Sequence, residues 1–111
     1  MKFLVELDHL KTGQPLTEET ARAFIEGVVF PTLARAEQLA KEGRILAGGP
    51  VAGRFALRFI AEVESAQQLD QLVASLPLWI VADTRVTPLI EFSDRRAHAQ
   101  ALLQRMTKSD S

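Results

Sequence analysis

Ten consecutive residues, Arg54 to Val63, alternate without a break between two kinds of side chain. Phe55, Leu57, Phe59, Ala61 and Val63 fall on one side, and Arg54, Ala56, Arg58, Ile60 and Glu62 fall on the other. Period-two alternation is the mark of a β-strand with unlike faces, one able to carry helices and one mixed. Gly48, Gly49, Pro50 and Gly53 mark a reversal just before it, so residues 44–63 predict a hairpin around which the chain is arranged. Lys2 to Asp8 repeats the pattern, with Phe3, Val5 and Leu7 against Leu4, Glu6 and Asp8.

Between these strands the period changes. After a loop over residues 9–16, Thr17 is placed to cap a helix, with Glu18 and Glu19 in the first turn, where the helix dipole favours negative charge. Ala21, Phe24, Ile25, Val28, Val29, Leu33, Ala36, Leu39 and Ala40 form the apolar stripe. Pro31 interrupts it, because its ring collides with the carbonyl of Gly27 in a regular helix. The expectation is one long helix kinked near Gly27–Pro31, or a break into two, stopping at Gly43.

Ser65 followed by Gln68 is a capping-box pattern, and Leu69, Leu72, Val73 and Leu76 continue as a second helix that Pro77 ends. Leu78 to Val81 is an apolar connector. Asp83 to Phe92 predicts a last strand, which Pro88 restricts to a sheet edge or a bulge. Ser93 then caps a helix from Asp94 to about Met106, with Ala99, Leu102, Leu103 and Met106 as its stripe and a fraying end. The organisation expected is a domain over residues 1–92 and a helix and tail over 93–111.

Strand, helix, strand, strand, helix, strand is the α+β, ferredoxin-like βαββαβ order, in which four antiparallel strands carry both helices on one face. Strands one and three take the centre and strand four an edge beside strand one. The helix-free face mixes Leu4 and Ile60 with charges, which makes water a poor cover. A second copy of the chain, sheet to sheet, is the economical one, giving a two-fold dimeric barrel.

Composition narrows the functions. The 111 residues carry a net charge of −1, with Lys and Arg scattered, so nucleic acid is not an expected partner. There is no cysteine, which excludes disulfides, thiol catalysis and cysteine metal sites and suits a reducing cytoplasm. Glu6 and Asp8 break the early apolar run before it could serve as a signal peptide, and no run approaches membrane-span length.

Leu76-Pro77-Leu78-Trp79, Val86-Thr87-Pro88-Leu89, Val63-Glu64-Ser65 and the Glu42-Gly43 that closes the first helix together resemble the muconolactone delta-isomerase-like family of dimeric α+β barrel proteins. The likeness spans most of residues 1–92 in element order and is sharpest over 58–89. It implies a cofactor-free proton shift on a small unsaturated lactone, in a pocket that neighbouring subunits help to complete. Those isomerases have a second strand rich in aromatic and basic residues, where this chain has Leu46-Ala47-Gly48-Gly49, so no catalytic residue is carried over.

The candidates come from the chain itself. If strands one and three pair with residue numbers summing to 64, Glu6 opposes Arg58, Lys2 opposes Glu62, and Asp8 lies opposite Ala56 beside Arg54. The plain reading is a cross-strand ion pair that fixes register. The functional reading makes Glu6 a proton acceptor and Arg58 an anchor for a carboxylate, with Asp8, Arg54 and Trp79 as substrate contacts. His9, at the end of strand one, is a second candidate proton carrier, histidine being the usual proton shuttle. His98 lies in the tail helix, and two histidines without metal-ligand spacing make no metal site. Three functions remain open: a proton-transfer isomerase without cofactor, a non-catalytic ligand-binding or assembly dimer, and a cofactorless monooxygenase on the same fold.

Overall fold

In a computed structural model, the chain is described over residues 1–10 and 17–110, with side chains through Thr107. The loop expected over 9–16 therefore falls largely outside the described residues. Four strands, β1 (Lys2–His9), β2 (Ile45–Pro50), β3 (Ala56–Glu62) and β4 (Ala82–Leu89), form one antiparallel sheet in the order β2-β3-β1-β4. Strands β1 and β3 are central, and β4 is the edge beside β1. Glu6 stands opposite Arg58, Lys2 opposite Glu62 and Asp8 opposite Ala56, the register expected from the charges.

Alternation decides the two faces. Phe3, Val5 and Leu7 of β1 and Leu57, Phe59 and Ala61 of β3 are buried against the helices. Leu39, Leu69, Leu72, Val73, Leu76 and Leu78 meet them from the other layer. On the opposite face Leu4, Glu6, Asp8, Arg58 and Ile60 are only half-buried.

The first helical stretch stays continuous past Pro31 by changing its winding. Helix α1 (Glu18–Phe24) is followed by a π-helical turn, Ile25–Val29, and then by α2 (Phe30–Lys41). The Phe30 N–H reaches back to the Ile25 carbonyl, one residue further than in an α-helix. The widened turn lets the chain pass Pro31, which has no N–H to give and whose ring would otherwise meet the Gly27 carbonyl. Thr17 and Thr20 cap the start reciprocally. At the far end Gly43 takes φ +78°, and bonds from Gly43 N to Ala40 O (3.1 Å) and Arg44 N to Leu39 O (2.9 Å) close the helix.

Two expectations differ around the hairpin and the strand ends near Lys2. Gly48, Gly49 and Pro50 lie inside β2, and the reversal falls on the residues after them. Gly48 has φ +131° next to a register shift between Ile45 and Ala47, and a side chain there would run into the Arg58 carbonyl and Phe59. The glycine is a bulge at which two backbones come close. Pro50 is tolerated because β2 is an edge. The second difference concerns charge: Lys2 donates to Glu91 at 3.0 Å, and Glu62 instead lies 3.6 Å from the N-terminal amino group.

Helix α3 (Ala66–Ala74) is capped by Ser65, whose hydroxyl accepts from Gln68 N at 3.1 Å. A 3₁₀ turn, Pro77–Val81, holds Trp79 and leads into β4, and the Leu78 N–H donates to the buried Thr32 hydroxyl at 3.0 Å. The last strand stops at Leu89, short of the expected Phe92, and helix α4 (Phe92–Asp110) begins at Phe92, so Ser93 lies inside it and does not cap it; the helix stands away from the body. Every described side chain from Phe92 to Thr107 is exposed. The molecule measures 72 × 31 × 24 Å, with a radius of gyration of 19.3 Å, against about 13 Å for a compact chain of roughly this length.

Candidate functional site

The open sheet face carries a compact ion cluster. Arg58 Nη2 meets both Asp8 oxygens, at 3.1 and 3.2 Å, and Arg58 Nε lies 3.4 Å from Glu6 Oε1. Arg58 Nη1 also donates to the Leu57 carbonyl at 2.9 Å. Arg54 Nη2 reaches Asp8 Oδ1 at 3.2 Å. Two carboxylates and two guanidiniums thus balance, joined by charge-assisted hydrogen bonds and ion pairs.

On the other side of the sheet lies an open-mouthed cavity of about 220 Å³, bounded by the first helical stretch, the β2–β3 hairpin and the 3₁₀ turn. Phe24, Val29 and Leu33 supply the helical wall, Phe55 and Leu57 the hairpin wall, and Leu78 the end. Thr32 and Arg54 are the two polar lining residues among those described. The Thr32 oxygen already accepts the Leu78 N–H. Arg54 belongs to both places, since it lines the cavity and also reaches Asp8.

His9 sits on the cavity side. Its ring lies 4.6 Å, centroid to centroid, from Phe24 and 6.3 Å from Phe55, and those two rings meet edge-on at 5.2 Å. Phe24 and Phe55 both line the cavity, so His9 stands one ring's width beyond its wall. The structure accordingly joins Glu6, Asp8, Arg58 and Arg54 in one cluster and sets His9 across the sheet from Glu6 and Arg58. Trp79 is 40% exposed and is not among the lining residues. Among the described residues no group of three or more His, Asp or Glu side chains is placed to hold a metal ion, and no helix is long and apolar enough to cross a membrane.

Sequence reading alone missed Thr32, Phe24 and Phe55 as site residues. Phe24 and Phe55 were visible as members of apolar stripes, but nothing in a stripe says which rings will border a cavity rather than fill the core. Thr32 carried no signal, because its hydroxyl matters only through a bond to Leu78, which is 46 positions away.

These features define an α+β protein of ferredoxin-like topology with an apolar cavity between helices and sheet and a basic residue at its edge. The chain belongs to the muconolactone delta-isomerase family, which it matches over residues 1–95. A crystal structure of muconolactone isomerase at 3.3 Å resolution superimposes with a TM-score of 0.63 at 23% identity, over 82% of this chain and 90% of that one. At this identity the superposition speaks for the fold alone. No curated protein sequence matches the chain. Most of α4 lies beyond the residues that match the family.

Proposed function

We infer that the protein is an isomerase that moves a double bond within a small unsaturated lactone or acid by proton transfer, without a cofactor. The observation that carries this reading is the cavity of about 220 Å³, walled by hydrocarbon, with an arginine in its lining and a histidine against two of its rings. A double-bond shift of this kind removes one proton from carbon and returns one elsewhere, with no net change in electrons. It needs a group that titrates near neutrality, a cation to hold the substrate, and exclusion of water. In this reading His9 carries the proton and Arg54 holds a substrate carboxylate. Asp8, itself held by Arg58, pairs with Arg54, and Glu6 balances Arg58. Membership of the isomerase family supports the reaction class, and the absence of cysteine suits work in a reducing cytoplasm.

Glu6 becomes the proton acceptor instead if a second copy closes the open sheet face into a cavity, with Arg58 as the anchor. The half-buried Leu4 and Ile60 on that face favour such a partner. So do the exposed apolar side chains at the two ends of β4, Ile80 before it and Phe92 after it. We take the working form to be a homodimer, with residues 1–92 as the barrel domain and the Leu102–Leu103–Met106 side of α4 laid on the other copy. Sedimentation equilibrium checks this: a stable monomer at micromolar concentration sinks it.

The test of the reaction is proton exchange and isomerisation on a panel of unsaturated lactones and keto acids. His9→Gln is expected to lose about 10²–10⁴-fold in turnover while staying folded, and Glu6→Gln to keep most of it. The reverse order would assign the base to the open face. A parent protein that exchanges no proton on any member leaves the non-catalytic ligand-binding reading in its place.

A further inference from the structure

We propose that β4 is the seam of the homodimer: it pairs antiparallel with β4 of a second copy, in one register, centred on Thr84. This rests on the reading of the working form as a homodimer, and it names the strand, the register and the residues that join the copies.

The backbone supplies the first step. The two edges of the sheet are unlike. Strand β2 is blunted by the bulge at Gly48 and by Pro50, whereas β4 runs from Ala82 to Leu89 against β1 without a register shift. Backbone groups alternate in direction along an antiparallel strand. His9 gives its N–H to the Phe55 carbonyl, so the odd residues of β1 face β3 and the even ones face β4. Asp8 therefore bonds across to Asp83 and Glu6 to Arg85, in step with the Val81 carbonyl, which accepts from Leu10. Ala82, Thr84 and Val86 are left with their N–H and C=O groups turned outward. Pro88 has the same direction and no N–H to offer, so the usable edge is Ala82 to Val86.

Charge selects the register. Outward residues must meet outward residues, which allows only a few alignments of this edge with itself. Centring on Thr84 sets Ala82 opposite Val86 of the second copy and Asp83 opposite its Arg85, twice by symmetry. A step toward the start of the strand sets Asp83 against Asp83. A step the other way sets Arg85 against Arg85 and loses a bond at Pro88. Like charges directly opposite are destabilising and unlike ones favourable, most of all at the non-hydrogen-bonded positions that Asp83 and Arg85 occupy here. Neither residue has an ion-pair partner of its own among the described residues.

Thr84 marks the centre. Its hydroxyl oxygen is buried in the single chain without a hydrogen-bond partner among the described residues, which is costly. Across the axis it meets its own copy, and threonine pairs bond in this way between strands. Both copies turn the same face to the same side of such a pair. The two helix-free faces thus join at the seam and can curl toward each other, as the sheet-to-sheet dimer requires.

Cross-linking of the full-length protein is the experiment. The chain has no cysteine, so a single introduced one reports a single position. Thr84 and its copy form a hydrogen-bonded pair with Cα atoms about 5.5 Å apart, inside the roughly 4.4–6.8 Å that a disulfide spans. Under mild oxidation Thr84→Cys should become a covalent dimer nearly to completion. Ala82→Cys and Val86→Cys should each stay unlinked, because each then lies about 13 Å from its own copy. A mixture of those two proteins should link one to the other. Asp83→Arg and Arg85→Asp should each weaken association in sedimentation by about tenfold or more, and the double variant should recover it. Thermal melts show that each variant keeps its fold.

A parent that sediments as a dimer while Thr84→Cys and the mixed pair stay unlinked overturns the seam and leaves the homodimer standing. Linking of Thr84→Cys to Ala47→Cys would put β2 beside β4 and equally overturn it. So would Val86→Cys linking to itself, or association indifferent to both charge reversals. A parent that stays monomeric at micromolar concentration removes the homodimer and the seam together.

Discussion

Glu6 and Leu7 are neighbours on one strand, yet they belong to different kinds of surface. Leu7 and its companions Val5, Leu57 and Ala61 are sealed beneath the helices, and the same side of the sheet opens toward its hairpin end into the hydrocarbon cavity. Glu6, with Asp8, Arg54 and Arg58, lies in a balanced ion cluster that water still reaches. Parity alone separates them. The helix side gains its stability from removing apolar area from water, which is large and insensitive to salt. The open side exchanges hydration for ion pairing, which comes close to cancelling. An isolated cluster of this kind sets register and positions Arg54, and contributes little to holding the sheet together.

The strongest way to break this comparison is to cut both residues. Leu7→Ala should cost about 2–5 kcal/mol, the range for a fully buried leucine whose cavity cannot collapse. Glu6→Gln should cost at most about 1 kcal/mol, since it removes one partner of a pair with access to solvent. Urea denaturation of the two variants beside the parent reads the difference. Comparable losses would mean that the open face is not open, and that a second copy buries Glu6 in the working protein.

Thr32 sharpens the comparison from within the helix side, where one polar group sits among hydrocarbon at 3% exposure. Thr32→Val keeps the shape and orphans the Leu78 N–H, at a cost of about 1–3 kcal/mol. Thr32→Ser should recover most of that by keeping the oxygen. If Val proves as stable as Thr, the Leu78 N–H has found another partner and the 3₁₀ turn is not pinned at this point.

Much of the fold follows from local rules that the residues state openly. The register came from charges whose numbers sum to 64, and Glu6 does stand opposite Arg58. The disturbance at Gly27–Pro31 came from a missing N–H, although its resolution as a π turn needs the packing of Phe24 and Val28 to hold the widened winding in place. The course of β2 through Gly48–Pro50 was hidden because glycine and proline mark turns far more often than bulges, and only the approach of the Arg58 carbonyl reveals the difference. The site was half legible. Asp8, Arg54, Arg58 and Glu6 do gather, whereas His9, expected in the loop, is the last residue of β1, and its odd number puts it on the other face. A cavity is a property of three-dimensional walls, and no spacing along the chain encodes it. The expected packing of α4 on a partner is likewise not written in one chain.

The smallest effect lies at the sheet's far end, again on the open face. Lys2 Nζ donates to Glu91 at 3.0 Å, and that bond, reinforced by the charges of Glu91 and Glu62, raises the Lys2 pKa above its ordinary 10.5. A lysine whose pKa is higher in the folded state stabilises the fold at every pH below its ordinary value. That contribution disappears as the pH rises through the raised one. Solvent reaches both partners, so salt screens the pair. Lys2→Met should therefore melt slightly below the parent at neutral pH and low salt. The gap should stay constant until the pH approaches 10.5, then close as the parent's lysine loses its proton. Added salt should shrink it at neutral pH. A gap that ignores both pH and salt would mean that the aliphatic stem of Lys2, and not its charge, does the holding. The open face would then owe more to hydrocarbon contact, and less to charge, than its comparison with the helix side implies.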